Sequence, residues 1–186
     1  MTGVSGSRPG MLLHVCCGPC STEVVERLSA EHDLVLLFFN PNIFPEEEHD
    51  RRMSEARRYA EAHGHRFIGT RWDHGGWLAA VRGLEGEPEG GKRCAACFAF
   101  RLGMAARNAL EEGADVFTTT LTVSPHKNAT AVNAAGEEAG RMAGVAFLAA
   151  DFKKQDGFRK SCERARGAGM YRQDYCGCEF SVRKKA

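Results

Sequence analysis

The 186-residue chain lacks the long apolar segments that membrane proteins need. No run approaches the roughly 18–20 consecutive apolar residues of a transmembrane helix. Residues 1–10 are polar, rich in glycine and serine, and lack the apolar middle of a signal peptide. We therefore predict a cytoplasmic protein that uses no membrane partner and begins with a disordered tail over residues 1–10.

An excess of charge of either sign is also missing, since 25 basic residues stand against 24 acidic ones. This balance gives no general attraction to nucleic acid, so a polyanion would have to be held by a local basic patch. Hydrophobic residues make up 43% of the chain and charged residues 26%, as in ordinary globular domains. We expect one domain over residues 11–180 and a basic tail over residues 181–186.

Short apolar runs alternate five times with helical patterns, and no internal repeat is visible. The predicted strands are residues 11–15, 34–39, 65–69, 116–120 and 145–149. The predicted helices are residues 18–30, 45–63, 72–81, 94–112, 125–139 and 152–166. The alternation predicts a doubly wound parallel sheet with helices on both faces, a Rossmann-like α/β sandwich with an irregular C-terminal tail.

Polar residues follow several of the predicted strands. Parallel sheets bind ligands beyond the carboxyl ends of their strands, so Cys16, Asn40 and the threonines at 118–120 should share one rim. Asn40 and Asn42 are candidates for substrate binding. The alternative is turn formation beside Pro41, for which asparagine is well suited.

The eight cysteines suggest metal or redox chemistry in a reducing compartment. Cys16 and Cys17 are adjacent, so a disulfide between them would be strained. Cys94 and Cys97 form a Cys-x-x-Cys pair at a predicted helix start, where the thiolate is favoured. The four thiolates can hold a tetrahedral zinc ion or a four-iron cluster, and the adjacent pair favours the cluster. Burial of the thiols as small apolar groups is a further alternative.

The remaining cysteines form a second group. A disulfide between Cys176 and Cys178 would be tight and easily reduced, as suits redox exchange. Two solvent-exposed thiols or a further metal pair are the alternatives. Cys162 stands alone on a predicted helix and is interpreted as a packed or surface thiol.

Five motifs occur in order along the chain: HVCCGPCS at 14–21, NPNI at 40–43, RCxxC at 93–97, TTTLxxSPHK at 118–127 and YRQxYCGC at 171–178. With them the chain resembles the epoxyqueuosine reductases of the QueH type over nearly its whole length. The resemblance implies an adenine-nucleotide α-hydrolase-like (HUP) fold. It also implies cobalamin-independent deoxygenation of epoxyqueuosine to queuosine at the tRNA wobble position, the last step of queuosine synthesis.

The resemblance also implies roles for single cysteines. A 4Fe-4S cluster would be held by Cys16, Cys17, Cys94 and Cys97. A redox-active pair would be formed by Cys176 and Cys178. Cys20 would help to hold an additional mononuclear iron, or would be a simple helix residue. Electrons would come from ferredoxin or a similar donor, which the sequence does not identify.

The reaction needs two electrons and two protons, and an open iron could act as a Lewis acid on the epoxide oxygen. Candidate proton donors are His14, His126, Asp174 and Tyr175, each of which also has a purely structural interpretation. Trp72, Trp77 and Phe44 are expected to pack in the core rather than to stack on bases.

Binding of tRNA requires contacts to phosphates. The candidate patch comprises Lys153, Lys154, Arg159, Lys160, Arg164, Arg166 and Arg172, and continues in Arg183, Lys184 and Lys185. A solvated helix face is the alternative interpretation. The arginines at 51, 52, 57 and 58 are expected to pair with nearby glutamates on one helix.

Two other functional classes compete with the reductase. One is a non-catalytic, zinc-stabilised nucleic-acid-binding module that uses Cys16, Cys17, Cys94 and Cys97. The other is a nucleotide-binding enzyme, which is disfavoured because thiols occupy the first strand-to-helix loop, where a glycine-rich phosphate cradle is expected.

Overall fold

Five parallel strands form the central sheet of the computed structural model, in the order β3-β2-β1-β4-β5. The strands are β1 (Gly10–His14), β2 (Asp33–Phe38), β3 (Arg66–Gly69), β4 (Val116–Thr119) and β5 (Ala146–Phe147). The structure describes residues 8–181. The rest of the predicted tails, including Arg183, Lys184 and Lys185, lies outside the described residues.

Helices connect the strands. They are α1 (Gly18–Leu28), α2 (Glu46–Ala62), α3 (His74–Ala80), α4 (Lys92–Glu111), α5 (Ala129–Ala143) and α6 (Gly157–Gly167), with 3₁₀ turns at Thr120–Val123 and Glu179–Ser181. The predicted fold class, a doubly wound parallel α/β sandwich, is confirmed. Among residues 8–181, no helix combines the length and the apolar character that crossing a membrane requires.

Alternating side chains of β1 separate two layers of core. Met11 and Leu13 pack into the layer that also contains Val24 and Val25 of α1. Leu12 points into the opposite layer, against residues of α4 and α5 that include Leu102. Because β1 is covered on both faces, its sequence is continuously apolar, and its carboxyl end opens directly onto the rim where the cysteines lie.

Two helices begin four or five residues later than predicted. Helix α5 starts at Ala129 rather than at 125, because the Asn128 side chain caps it by accepting from the Ala131 N–H at 3.2 Å. Helix α6 starts at Gly157 rather than at 152, because Gln155 and Asp156 adopt positive φ angles, which interrupt a right-handed helix.

Candidate metal and redox site

The ends of β1 and β4 bring Cys16 beside Thr120. His14 pairs with Thr119 in the sheet, so the residues that follow are also neighbours. The Thr120 hydroxyl accepts from the Cys16 N–H at 3.0 Å and donates to the Cys16 Sγ at 3.3 Å. Asn40 follows β2 and donates to the Val15 carbonyl at 2.9 Å. The predicted common rim is therefore present.

Three thiols form a compact group at the start of α1. The Sγ atoms of Cys16, Cys17 and Cys20 lie within 4.8 Å of one another. Cys17 is the residue before the helix and Pro19 occupies its first turn, so the chain turns sharply after Cys16 and Cys20 comes back beside the pair. Distances in this range suit sulfur ligands that share one metal centre.

The ionisation of these thiols is strongly coupled. Hydrogen bonding with Cys17 and Cys20 lowers the pKa of Cys16 below its usual range, although burial opposes this. Hydrogen bonding with Cys16, helped by burial and opposed by Cys20, raises the pKa of Cys17 to about 12. Hydrogen bonding with Cys16 and Cys17 raises the pKa of Cys20 well above its usual range. A metal cation bound among these sulfurs would stabilise the thiolate form of all three.

Cys94 and Cys97 lie on the first turns of α4, outside this group. Gly90, at φ +87°, places its N–H 3.2 Å from the Cys94 Sγ. Cys97 is buried in a small cluster with Trp77, Val81 and Cys178, and burial raises the pKa of its thiol.

Two cavities open beside these cysteines and share a wall. Cys16, Cys20 and Cys162 line the first cavity, whereas Cys94, Cys97 and Cys178 line the second. The residues that line both cavities are Asn42, Glu89, Arg101, His126, Lys127 and Cys176. The predicted cluster ligands are thus divided between the cavities, since Cys16 lines the first whereas Cys94 and Cys97 line the second. Of the predicted redox pair, Cys176 lies on the shared wall and Cys178 lines the second cavity.

The Cys176-Gly177-Cys178 segment is held on this wall by contacts from α2 and the loop before it. Phe44 donates to the Gly177 carbonyl at 2.9 Å and Arg52 donates to the Cys176 carbonyl at 3.1 Å. Both cysteines are free thiols in the structure. Cys176 is half-buried, whereas Cys178 is buried, and burial raises its pKa to about 11.

Two cations of the shared wall, Arg101 and Lys127, were not singled out from the sequence. Arg101 is 2% exposed and donates to the Asn40 Oδ1. It lies four residues after Cys97 on α4, hence on the same helix face. That spacing is the one sequence signal that could have indicated Arg101. Lys127 lies inside the fourth motif, and its Nζ is 3.4 Å from the Cys176 Sγ.

Of the candidate proton donors, His14 does not fit the role. It is fully buried, its Nδ1 accepts from the Thr119 hydroxyl at 2.8 Å, and its Nε2 donates to the Phe39 carbonyl at 3.1 Å. Burial, reinforced by the charge of Arg101, lowers its pKa to about 3. His14 is therefore a neutral structural residue. His126 lines both cavities, and Asp174 and Tyr175 line the first.

Most of the basic patch carries acidic partners. Arg164 and Lys160 approach Glu23, at 3.0 and 3.9 Å, and Lys153 pairs with Asp151 at 3.2 Å. Arg159 contacts Asp156 and Glu163. Arg172 differs from these, because it lines the first cavity and stacks over Phe158 at 5.6 Å.

Packing of the aromatic residues agrees in part with expectation. Trp77 is 0% exposed and lies in the core, whereas Phe44 is 40% exposed. The helix pairs expected on α2 are present as Arg58 with Glu55 and as Arg52 with Glu48. Arg52 is nevertheless buried and lines the first cavity, so it is not a simple surface residue.

The chemistry of the donor set fits a thiolate-ligated metal centre. Soft sulfur donors select zinc, copper(I) and iron–sulfur groups over magnesium or calcium. Within residues 8–181, Arg101 and Lys127 form no ion pair with a carboxylate. Their positive charges therefore suit an anionic group bound in the cavities.

Sequence comparison places the chain among relatives that share one family description. The profile of the family described as "Epoxyqueuosine reductase QueH" matches residues 11–184. A Streptococcus pyogenes protein of that name is 38% identical over 95% of this chain and 71% of its own length. A Staphylococcus epidermidis protein of the same name is 38% identical over 97% and 79%. A Thermotoga maritima protein, also of that name, is 32% identical over 92% and 90%.

A solved structure shares the fold. It is described as a predicted subunit of tRNA methyltransferase from Methanocaldococcus jannaschii, and it superimposes with a TM-score of 0.53 at 10% identity. The match covers 83% of this chain and 76% of that one.

Proposed function

Because the chain belongs to the epoxyqueuosine reductase QueH family, we propose that it deoxygenates epoxyqueuosine to queuosine in tRNA, in the cytoplasm and without cobalamin. The conversion consumes two electrons and two protons, and the epoxide oxygen leaves as water. The observation that carries the proposal is the convergence of all eight cysteines on the rim and its two cavities: Cys16, Cys17, Cys20, Cys94, Cys97, Cys162, Cys176 and Cys178.

A 4Fe-4S cluster held by Cys16, Cys17, Cys94 and Cys97 suits this donor set. When bound, it would supply electrons one at a time. Cys20 lies within 4.8 Å of the first two sulfurs, a position suited to an additional iron beside the cluster.

Cys176 and Cys178 are proposed as the redox-active pair. Oxidation of their two thiols to one disulfide releases two electrons and two protons, which matches what the epoxide consumes. Cys176 lines both cavities and Cys178 lines the second, so the pair adjoins both groups of ligands. Ferredoxin or a similar donor would then restore the dithiol.

The first cavity is proposed to receive the modified nucleoside. Asn42, Arg172 and Tyr175 offer polar groups there, and Phe158 offers an aromatic face. The flanking tRNA phosphates would contact Lys153, Lys154, Arg159, Lys160, Arg164 and Arg172. Arg172 is the member of this set that lines the cavity.

Two measurements test this function. Protein purified without oxygen should contain about four iron atoms and about four sulfide ions per chain. In tRNA from a strain that lacks the gene and has no other reductase, epoxyqueuosine should accumulate. Normal queuosine in that strain would refute the enzymatic assignment.

A zinc-stabilised nucleic-acid-binding module is the second candidate, and the close spacing of Cys16, Cys17 and Cys20 favours it. A single zinc ion accepts up to four thiolates at such distances. A colourless protein with one zinc ion per chain that binds tRNA but does not reduce epoxyqueuosine would support the module.

A further inference from the structure

Arg101 carries a buried positive charge with incomplete hydrogen bonding. Its side chain is 2% exposed, and its Nη2 donates to the Asn40 Oδ1. Its Nε has no hydrogen-bond partner within the described residues. A buried donor without a partner is costly, so this group invites a ligand in the cavities that Arg101 lines.

Lys127 adds a second cation to the same wall. All 24 acidic residues of the chain fall within residues 8–181. None of them lies within 4.0 Å of the charged nitrogens of Arg101 or Lys127 in that range, although Glu89 lines both cavities. Asp174 also lines the first cavity, but most of the groups around these cations that can become anionic are thiols: Cys16, Cys20, Cys94, Cys97, Cys162, Cys176 and Cys178.

We propose that Arg101 and Lys127 are the counter-charges of the metal centre and that Arg101 sets its reduction potential. The inference rests on the proposed function, because it requires a thiolate-ligated redox centre. Each electron added to such a centre increases its negative charge. A buried cation nearby stabilises the reduced form more than the oxidised form, since charges interact strongly where water is excluded.

Position in α4 supports this role for Arg101. Cys97 and Arg101 are one helical turn apart on the same face, and Asn40 fixes the guanidinium at the rim from the end of β2. Arg101 would therefore act on the metal centre through its positive charge and would not itself contact the epoxide.

Arg107 provides a matched control. It lies on the same helix and is exposed, so Arg107→Gln removes one positive charge from α4 without changing the buried wall. The test compares Arg101→Gln, Arg101→Lys and Lys127→Gln with Arg107→Gln. The readouts are iron and sulfide content and a redox titration followed by visible absorption, without substrate.

At a fixed potential, Arg101→Gln should lower the ratio of reduced to oxidised centre at least tenfold, which is a shift of about 59 mV for a one-electron couple. Lys127→Gln should also lower the reduction potential. The potential of Arg101→Lys should be closer to that of the wild type, and the potential of Arg107→Gln should equal it.

Wild-type potential in an iron-loaded Arg101→Gln protein would overturn the proposal. If that variant does not retain iron, the reduction potentials of Lys127→Gln and Arg101→Lys are compared with the wild type instead. A wild-type potential in Lys127→Gln then overturns the role of the cation pair. An absence of iron in the wild type itself would instead refute the proposed metal centre, so the two failures are distinguishable.

Discussion

The Nζ atom of Lys127 lies 3.4 Å from the Sγ atom of Cys176, on the wall that separates the two cysteine-lined cavities. Burial opposes the charged form of Lys127, but the charges of Cys176 and Cys16 outweigh it and raise the pKa of the lysine above its usual range. Lys127 is thus charged at neutral pH and adjoins the more accessible sulfur of the proposed redox pair.

Replacing Lys127 should make Cys176 less reactive. Attack on an alkylating reagent requires the thiolate, and an adjacent cation stabilises that form. Lys127→Gln should slow alkylation of Cys176 by iodoacetamide roughly fivefold, which corresponds to about 1 kcal/mol of lost attraction. Peptide mass spectrometry measures the rate. Cys162 serves as the internal control, and Lys127→Arg should retain most of the reactivity.

Removal of a proposed cluster ligand should abolish metal retention. Cys17→Ala deletes a sulfur that lies within 4.8 Å of those of Cys16 and Cys20, and the centre would lose one of its anchors. Iron and sulfide per chain should fall towards zero. Cys162→Ala removes a thiol of the first cavity that is not a proposed ligand, so it is the matched control and should retain both at wild-type levels. Full iron content in Cys17→Ala would contradict the ligand set.

Replacing one cysteine of the proposed redox pair should lower turnover and leave metal binding unchanged. Cys176→Ala should keep its iron, because Cys176 is not among the proposed ligands, while multiple-turnover formation of queuosine falls at least about tenfold. Nucleoside analysis by mass spectrometry gives the rate. Unchanged turnover in Cys176→Ala would remove this residue from the reaction.

Buried His14 should make folding stability depend on pH. Its folded-state pKa of about 3 lies below the ordinary 6.5, so the unfolded chain binds a proton that the folded chain excludes. The contribution of neutral His14 to the free energy of unfolding is fully present above pH 6.5. It is lost as the pH falls below that value, by about 1.4 kcal/mol per pH unit. Urea unfolding of the metal-free protein between pH 5 and 7 measures the slope.

His14→Gln is the comparison variant for that experiment, because it does not titrate in this range. Its unfolding free energy should vary less with pH than that of the wild type. Equal slopes would show that His14 does not carry the effect.

The fold could be predicted because its signal is local. Continuous apolar strands and amphipathic helices alternate along the chain, and parallel pairing then brings the carboxyl ends of β1, β2 and β4 to one rim. Where the helices begin was harder to predict, since the start of α5 depends on the Asn128 cap and that of α6 on the positive φ angles of Gln155 and Asp156.

The charged parts of the site could not be predicted in the same way. Arg101 resembles a surface arginine of an amphipathic helix until its burial is known. The basic residues of α6 looked like a free patch, but Glu23 of α1, more than 130 residues earlier, approaches both Lys160 and Arg164. Such pairings depend on tertiary packing, which neither spacing nor composition contains.

The most direct test of the account is a reaction of anaerobically prepared, iron-loaded protein with tRNA that contains epoxyqueuosine and a chemical reductant. Mass spectrometry of the digested tRNA should show epoxyqueuosine converted to queuosine, lighter by one oxygen, and little conversion with Cys17→Ala. Iron-loaded wild-type protein that binds this tRNA and leaves epoxyqueuosine unchanged would contradict the account.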